Sequence, residues 1–438
     1  MIMKPFTNEI LPQGYKMTEL GALPEEWKVV KLGEVADISS GGNAPQGDKY
    51  FNGDKPFVRV SHIDNQNYSV NKYDLINDNA INDYRLKLFP KDTIIFPKSG
   101  ATVYLEKRAM LPIDAYVVSH LCTVISNKEE AIQHFLFYVL ISLKLAKEKA
   151  DGYPTLNISE VKRIPIPLPP LPEQQKIAAV LSAVQEAKEK TRAVIDATKA
   201  LKKSMMKHLF TYGPVPPEET ENVPLKETEI GKVPEDWEVV KLGEVVREKI
   251  TDGTHKTPQY IENGIPFITI TNLVNGKIDF SKCRFISEEE HNFLINRCKP
   301  EKDDVLLSKV GTLGLTAKIC EKDNFSIFVQ LALIKPKKEI INSDFLTYML
   351  NSISIQNQIE IKSSQSTMKY IGVEKISQLQ IPLPPLPVQQ KIASILSAID
   401  AKIEAEENKK KSLEKLFKTL LHNLMTAKIR VNHLEIKV

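Results

Sequence analysis

The chain has 438 residues, with 59 Lys and Arg against 55 Asp and Glu and a formal net charge of +4. So small an excess excludes a protein that coats nucleic acid by charge alone, while leaving room for local basic faces. Hydrophobic residues at 42% and charged residues at 26% make an ordinary globular balance, and the length allows two to four domains, each with its own core.

The opening MIMKPFTNEI lacks the apolar centre of a signal peptide. The longest apolar stretch, near residues 135–145, is interrupted by Ser142 and Lys144 and is too short to span a bilayer. A cytoplasmic protein without a membrane segment is expected. Cys122, Cys283, Cys298 and Cys320 form no CxxC pair, which argues for plain thiols in a reducing compartment and against a zinc site or a disulfide framework.

In chain order, the first landmark is LGALPEEWKVVKLGEVADI at 20–38, a strand-like block holding Trp27. The loop SSGGNAPQGDKYF at 39–51 follows, polar and cationic, with Gly41, Gly42, Asn43 and Lys49 as candidates for contact with base edges or phosphates. An ordinary surface loop is the competing reading. Runs rich in β-formers at 57–60 and 93–96, separated by Gly, Asn and Asp, predict short strands and turns. Next comes Lys98-Ser99-Gly100-Ala101-Thr102. A Lys beside Gly and hydroxyls suits a phosphate, because Gly lets backbone N–H groups approach the anion; a plain β-turn is the alternative. A helical stretch near 131–149 completes an α+β head.

IPLPPLPEQQKIAAVLSAV at 166–184 then reads as a stiff stop, with proline ending the head and a helix starting at Glu173. A polyproline ligand for an SH3-like partner is the weaker reading of this block. From Glu173 to Phe210 there is no Gly or Pro. Ile177, Val180, Val184, Ala187, Thr191, Val194, Thr198, Leu201 and Met205 alternate at three and four, the seam of a coiled coil. About 38 helical residues would span roughly 57 Å.

The chain then repeats itself. IGKVPEDWEVVKLGEVVRE at 230–248 copies the first block with Trp237 in the place of Trp27, and IPLPPLPVQQKIASILSAI at 381–399 copies the proline block. The second copy has its own loop, TDGTHKTPQY at 251–260, with Thr251, Gly253, Thr254, His255 and Lys256 as candidates. Lys309, Gly311 and Thr312 stand where the first copy has its Lys98 turn. A second shaft, from Val388 to about residue 428, is expected to use Ile392, Ile395, Ile399, Leu413, Leu416 and Leu420, with a charged middle at 404–411. The framework repeats while the loops diverge, which suits a protein reading two unlike half-sites.

Enzyme chemistry is not indicated. The sequence has no Gly-x-x-x-x-Gly-Lys-Ser/Thr, no Gly-x-Ser-x-Gly, no Asn/Asp/Ser-Pro-Pro-aromatic and no HExxH among its eight His. Neither a metal nor a cofactor is expected.

LGALPEEWKVVKLGEV with its copy, and IPLPPLPEQQKIA with its copy, resemble the specificity subunit of type I restriction-modification systems, over nearly the whole chain. The resemblance implies two target-recognition domains held apart by two long antiparallel helices, each reading half of a split site in double-stranded DNA. It implies a non-catalytic subunit that docks two methylation subunits, which use S-adenosylmethionine, and restriction subunits that translocate and cut. DGTHKTP at 252–258 is similar to a loop of recognition domains in this family; the loop at 39–51 departs from it. The expected divisions are a first recognition domain at 1–165, a proline block and helix at 166–213, a linker and second recognition domain at 214–380, and a second proline block and helix at 381–438. The rival is a scaffold with two ligand-binding heads that does not bind DNA.

Overall fold

The structure is a computed structural model; it describes residues 11–64, 68–146, 155–320, 324–364 and 368–435. These form two compact units, residues 1–193 with 407–438, and residues 194–406. Among the described residues no helix is long and apolar enough to cross a membrane.

In the first unit the repeated block opens as a hairpin, Tyr15–Thr18 with Gly21–Pro24, and continues into Lys28–Lys31. That strand pairs antiparallel with Pro165–Leu168. The start of the proline block is therefore part of the head. Prolines are tolerated there because a two-stranded ribbon leaves one edge with no partner to donate to. A four-stranded sheet runs Ala109–Met110, Ile94–Pro97, Leu121–Ser126, Ala36–Ser40, all neighbours antiparallel. A second runs Asp74–Ile76, Lys55–Val58, Ala115–Val117, Leu88–Phe89, its middle pair parallel. The helix Gln133–Ser142 is shorter than expected, and the tail of the expected helix, 147–149, lies outside the described residues. Its buried Phe135, Leu136, Val139 and Leu140 share one core with Trp27, Leu32 and Ile166, while Phe57, Phe89 and Val117 form another.

The second unit has the same plan. Thr251–Asp252, Leu331–Ile334, Val305–Ser308 and Thr316–Lys318 form its four-stranded sheet, and Ile265–Ile268 pairs with Arg284–Ile286 and, in parallel, with Ser326–Ile327. Here the head helix is broken in two, Ser343–Leu350 and Ile353–Lys362. Glu238–Lys241 pairs with Gln380–Leu383 as its counterpart does.

The long helices are Leu171–Tyr212 and Leu386–Met425, each starting two residues before the expected Glu173 and Val388. Pro172 and Pro387 sit inside the first turn, where an N–H has no partner to lose. The QQ after each proline block has a defined task. Gln174 is buried; its amide donates to Pro169 O (2.9 Å) and Glu130 O (3.2 Å), and its carbonyl accepts from Ile132 N (2.9 Å). Gln389 does the same with Pro384 O, Ile340 O and Asn342 N. One glutamine thus locks proline block, helix and head helix together.

In the first unit residues 171–193 and 407–425 pair antiparallel: Glu173 meets Arg430 just past the helix end, and Lys188 Nζ lies 4.7 Å from the Phe417 ring centre. In the second unit Lys202 pairs with Asp400 (2.6 Å), and Leu209 shares a core with Ile392 and Leu396. The seam differs from the expected one. Ile177, Thr191 and Ile392 are buried as expected, but Val194, Leu201 and Leu416 are exposed, and Leu181, Ile195 and Phe417 are buried in their stead, along with Gln185 and Lys188. Over part of the stripe the buried position is the next residue along, because long polar side chains here bury their stems. Lys188 does so against Tyr68 and Phe417, with its ammonium over both rings.

The last residues close the first unit. Arg430 donates to Glu173 (2.6 Å) and Glu26 (2.6 Å), Trp27 Nε1 donates to Glu173 (2.9 Å), and Tyr15 OH donates to Ala427 O (2.8 Å). Val388 stands at the equivalent of Glu173 in the second copy.

Candidate functional site

The two candidate loops of each head are held by one four-residue segment. In the first head Gly42 N donates to Val117 O (2.8 Å), Ser119 N to Gly42 O (2.6 Å), and Lys98 N to His120 O (2.9 Å), so residues 117–120 carry both loops. In the second, Thr254 N donates to Ile327 O (3.2 Å), Val329 N to Thr254 O (3.0 Å), and Lys309 N to Gln330 O (2.8 Å). Sequence reading did not single out 117–120 or 327–330, which look like ordinary strand ends. Gly41 and Gly253 are fixed by close approach: a Cβ would stand 1.9 Å from Val117 O or 2.0 Å from Ile327 O. They shape the loops and offer no side chain to a ligand.

In the first head Asn43 and Lys49 are exposed, Lys49 on the turn Asp48–Tyr50 with its ammonium 4.8 Å from the Tyr50 ring centre. Lys98 is half-buried. Ser99 Oγ bonds His120 Nδ1 (2.6 Å), Gly100 turns the chain at φ +82°, and Thr102 Oγ1 donates to Ser99 O (3.3 Å).

In the second head Thr254 Oγ1 closes the loop on Lys256, accepting from its N–H (3.2 Å) and donating to its carbonyl (3.1 Å). His255 and Lys256 are exposed. Gly311, at φ +77°, and Thr312 are exposed, and Ser308 Oγ donates to Thr312 O (2.7 Å). Thr251 Oγ1 donates to Cys298 Sγ (3.6 Å), a thiol pushed up to about 11 by burial and so no nucleophile.

Lys309 differs from its expected role. Its side chain is 2% exposed; Nζ lies 3.0 Å from Asp252 Oδ2 and 4.6 Å from the Tyr370 ring centre. Asp252, itself 8% exposed, also takes Arg297 Nη2 at 2.7 Å and His255 Nε2 at 3.3 Å. A buried carboxylate draws the lysine inward, since an ion left alone there would lose its hydration without return. Asp252, Arg297 and Tyr370 were missed. Asp252 lies inside the DGTH run and could have been found as the lone carboxylate of a cationic loop. Arg297 lies 45 residues away, and no local pattern points to it.

A family model described as "Type I restriction modification DNA specificity domain" matches residues 24–197 and again 234–415. The chain is 30% identical to the type I restriction enzyme MjaVIII specificity subunit of Methanocaldococcus jannaschii, over 94% of this chain and 95% of that one. It is 25% identical to the MjaIX specificity subunit of the same organism, over 96% and 97%. The fold is similar to a crystal structure of the type I restriction-modification S subunit from M. genitalium, with TM-score 0.59, 17% identity, and coverage of 91% of this chain and 96% of that one. A structure concerned with complex assembly and conformational transition of the type I R-M system matches with TM-score 0.54 at 23% identity, covering 93% and 99%.

Proposed function

The chain belongs to the family of type I restriction-modification DNA specificity subunits, and from that premise we propose that each of its heads reads one half of a split, asymmetric site in duplex DNA. The reading is done by the loops that residues 117–120 and 327–330 carry. What supports this is one observation: the two heads share a backbone frame at these loops and differ in the side chains it presents, Ser40 and Lys98 in one, Asp252, His255 and Arg297 in the other. Different side chains on an equal frame are what two unlike half-sites require. Lys98 and Lys256 contact phosphate, and Lys49, Asn43 and Thr312 lie within the same footprint. Lys309 acts from behind, by holding Asp252.

The chain performs no chemistry of its own. It works in the cytoplasm, docking two methylation subunits that bring S-adenosylmethionine and the restriction subunits that translocate and cut. The long helices set the spacing of the half-sites. Exchanging residues 39–155 for those of a relative tests the reading. Long-read methylation mapping should find one half of the modified motif replaced, with the spacer kept; a change in both halves, or in neither, refutes it.

A further inference from the structure

The polar cluster of the second head contains a side chain with an unfilled task. Arg297 follows the helix Glu288–Ile295, and its side chain is 60% exposed. One of its nitrogens, Nη2, is tied to Asp252 at 2.7 Å. Asp252 cannot swing to follow it. Its other oxygen is held by Lys309, its backbone pairs with Ala332, and the next residue, Gly253, is pressed against Ile327 O. The guanidinium is thus anchored at one corner to a rigid, buried carboxylate, and much of the side chain stays open to solvent.

A planar fork held in one orientation is what a pair of in-plane acceptors requires, and guanine presents such a pair, O6 and N7, in the major groove. A phosphate can also accept the fork, but it is served as well by the point charge of a mobile lysine such as Lys256, whereas the guanine pair is not. The charge balance also fits. One carboxylate against Lys309 and Arg297 leaves the cluster one positive charge in excess before His255 is counted, so an anionic duplex is drawn to it.

We propose that Arg297 reads a guanine in the half-site of the second head, and that Asp252 is its positioning residue. The proposal rests on the DNA-reading function above and adds to it a base and a side chain. In the first head Ser40 occupies the place of Asp252, opposite Cys122 as Asp252 is opposite Ala332, so the device belongs to one half-site alone.

The test uses the full chain assembled with its methylation subunit, and long-read mapping of the modified motif. Arg297→Ala should relax one position of the second half-site, letting other bases replace guanine with a loss of discrimination of about 5- to 150-fold. The first half-site should be unchanged. Arg297→Lys, which keeps the charge and loses the fork, should relax the same position. Full specificity in Arg297→Lys would mark a phosphate contact and overturn the assignment, as would an unaltered motif in Arg297→Ala. Asp252→Asn should loosen that position and no other. Loss of the whole half-site there would make Asp252 a folding residue and remove its positioning role, while the Arg297 pair still decides the base. A wild-type complex that modifies no split site would sink the DNA reading itself, an outcome distinct from all of these.

Discussion

The two heads solve the same backbone problem with different charges. At two positions where the first head has hydroxyls, the half-buried Ser40 beside its loop and the buried Thr93 before its sheet, the second buries carboxylates, Asp252 and Asp304. The backbone around each pair is alike: Leu111 N donates to Thr93 O as Ile319 N does to Asp304 O, and Asp92 and Asp303 before them both adopt positive φ. The consequence lies in the cations. Lys309 and Arg297 gather on Asp252, while Arg247 and Lys335 gather on Asp304. Lys98, with only Ser40 in the corresponding place, stays half-buried. On an alike frame, the carboxylate goes with a lysine drawn inside and the hydroxyl with one left half-buried.

Four measurements bear on this contrast. The largest effect is expected where the heads agree. Gly41→Ala and Gly253→Ala each drive a Cβ to within about 2 Å of a backbone oxygen, and each should cost more than about 4 kcal/mol in chemical denaturation. A mild effect in one head alone would break the equivalence of the frames. Next, Lys309→Ala leaves Asp252 short of its buried partner and should cost about 3 kcal/mol. Lys98→Ala should stay within about 0.5 kcal/mol and instead lower the salt slope of DNA binding by about one. Equal costs in the two heads would erase the contrast. Third, Glu173→Val imports the second copy's residue into the first. It strips Trp27 and Arg430 of their shared acceptor and should lower stability by about 2 kcal/mol, read as a shift of the denaturation midpoint.

The smallest effect is a pH dependence confined to one head. Burial pushes the Asp304 carboxyl up from its ordinary 3.8 to about 6, against the pull of Arg247 and Lys335. Between those two values the folded chain holds a proton that the unfolded chain has released. This contribution therefore weakens the fold as pH rises through that window and supports it as pH falls. Asp304→Asn should flatten the melting temperature across pH 4 to 7, and Thr93→Ser should leave its slope as it was. A wild-type slope that survives Asp304→Asn would assign the dependence to another group.

Much of this architecture was legible because it is written locally and twice. The repeated Trp blocks and proline blocks fixed the duplication, the α+β heads and the long helices, and the loops flanking Gly41 and Gly253 fell in equivalent places. The buried stripe of the helices came out one residue off over part of its length. Spacing favours Val194, Leu201 and Leu416, whereas the packed line takes in Gln185 and Lys188, and Lys188 is buried against the distant partners Phe417 and Tyr68. The same limit hid Arg297 and turned Lys309 inward. An ion pair across 45 or 57 residues leaves no periodic trace, and a lysine beside glycine reads the same whether or not a carboxylate waits beneath it.

The ties of Arg430 to Glu173 and Glu26, and of Ala427 to Tyr15, have a consequence for the order in which the protein is made. The second unit is one uninterrupted stretch, residues 194–406, and every strand it needs has been synthesised by the time residue 406 is joined. The first unit includes strands made before residue 194, yet its core includes Phe417, Leu421 and Leu424, and its ring of hydrogen bonds waits for Arg430. At about 5–20 residues per second, Arg430 arrives roughly 1–5 s after the second unit is complete. The head that is translated first is therefore finished last, and a ribosome that stops short of the final helical turns releases a chain with one closed head and one still open along the face that Phe417 should cover.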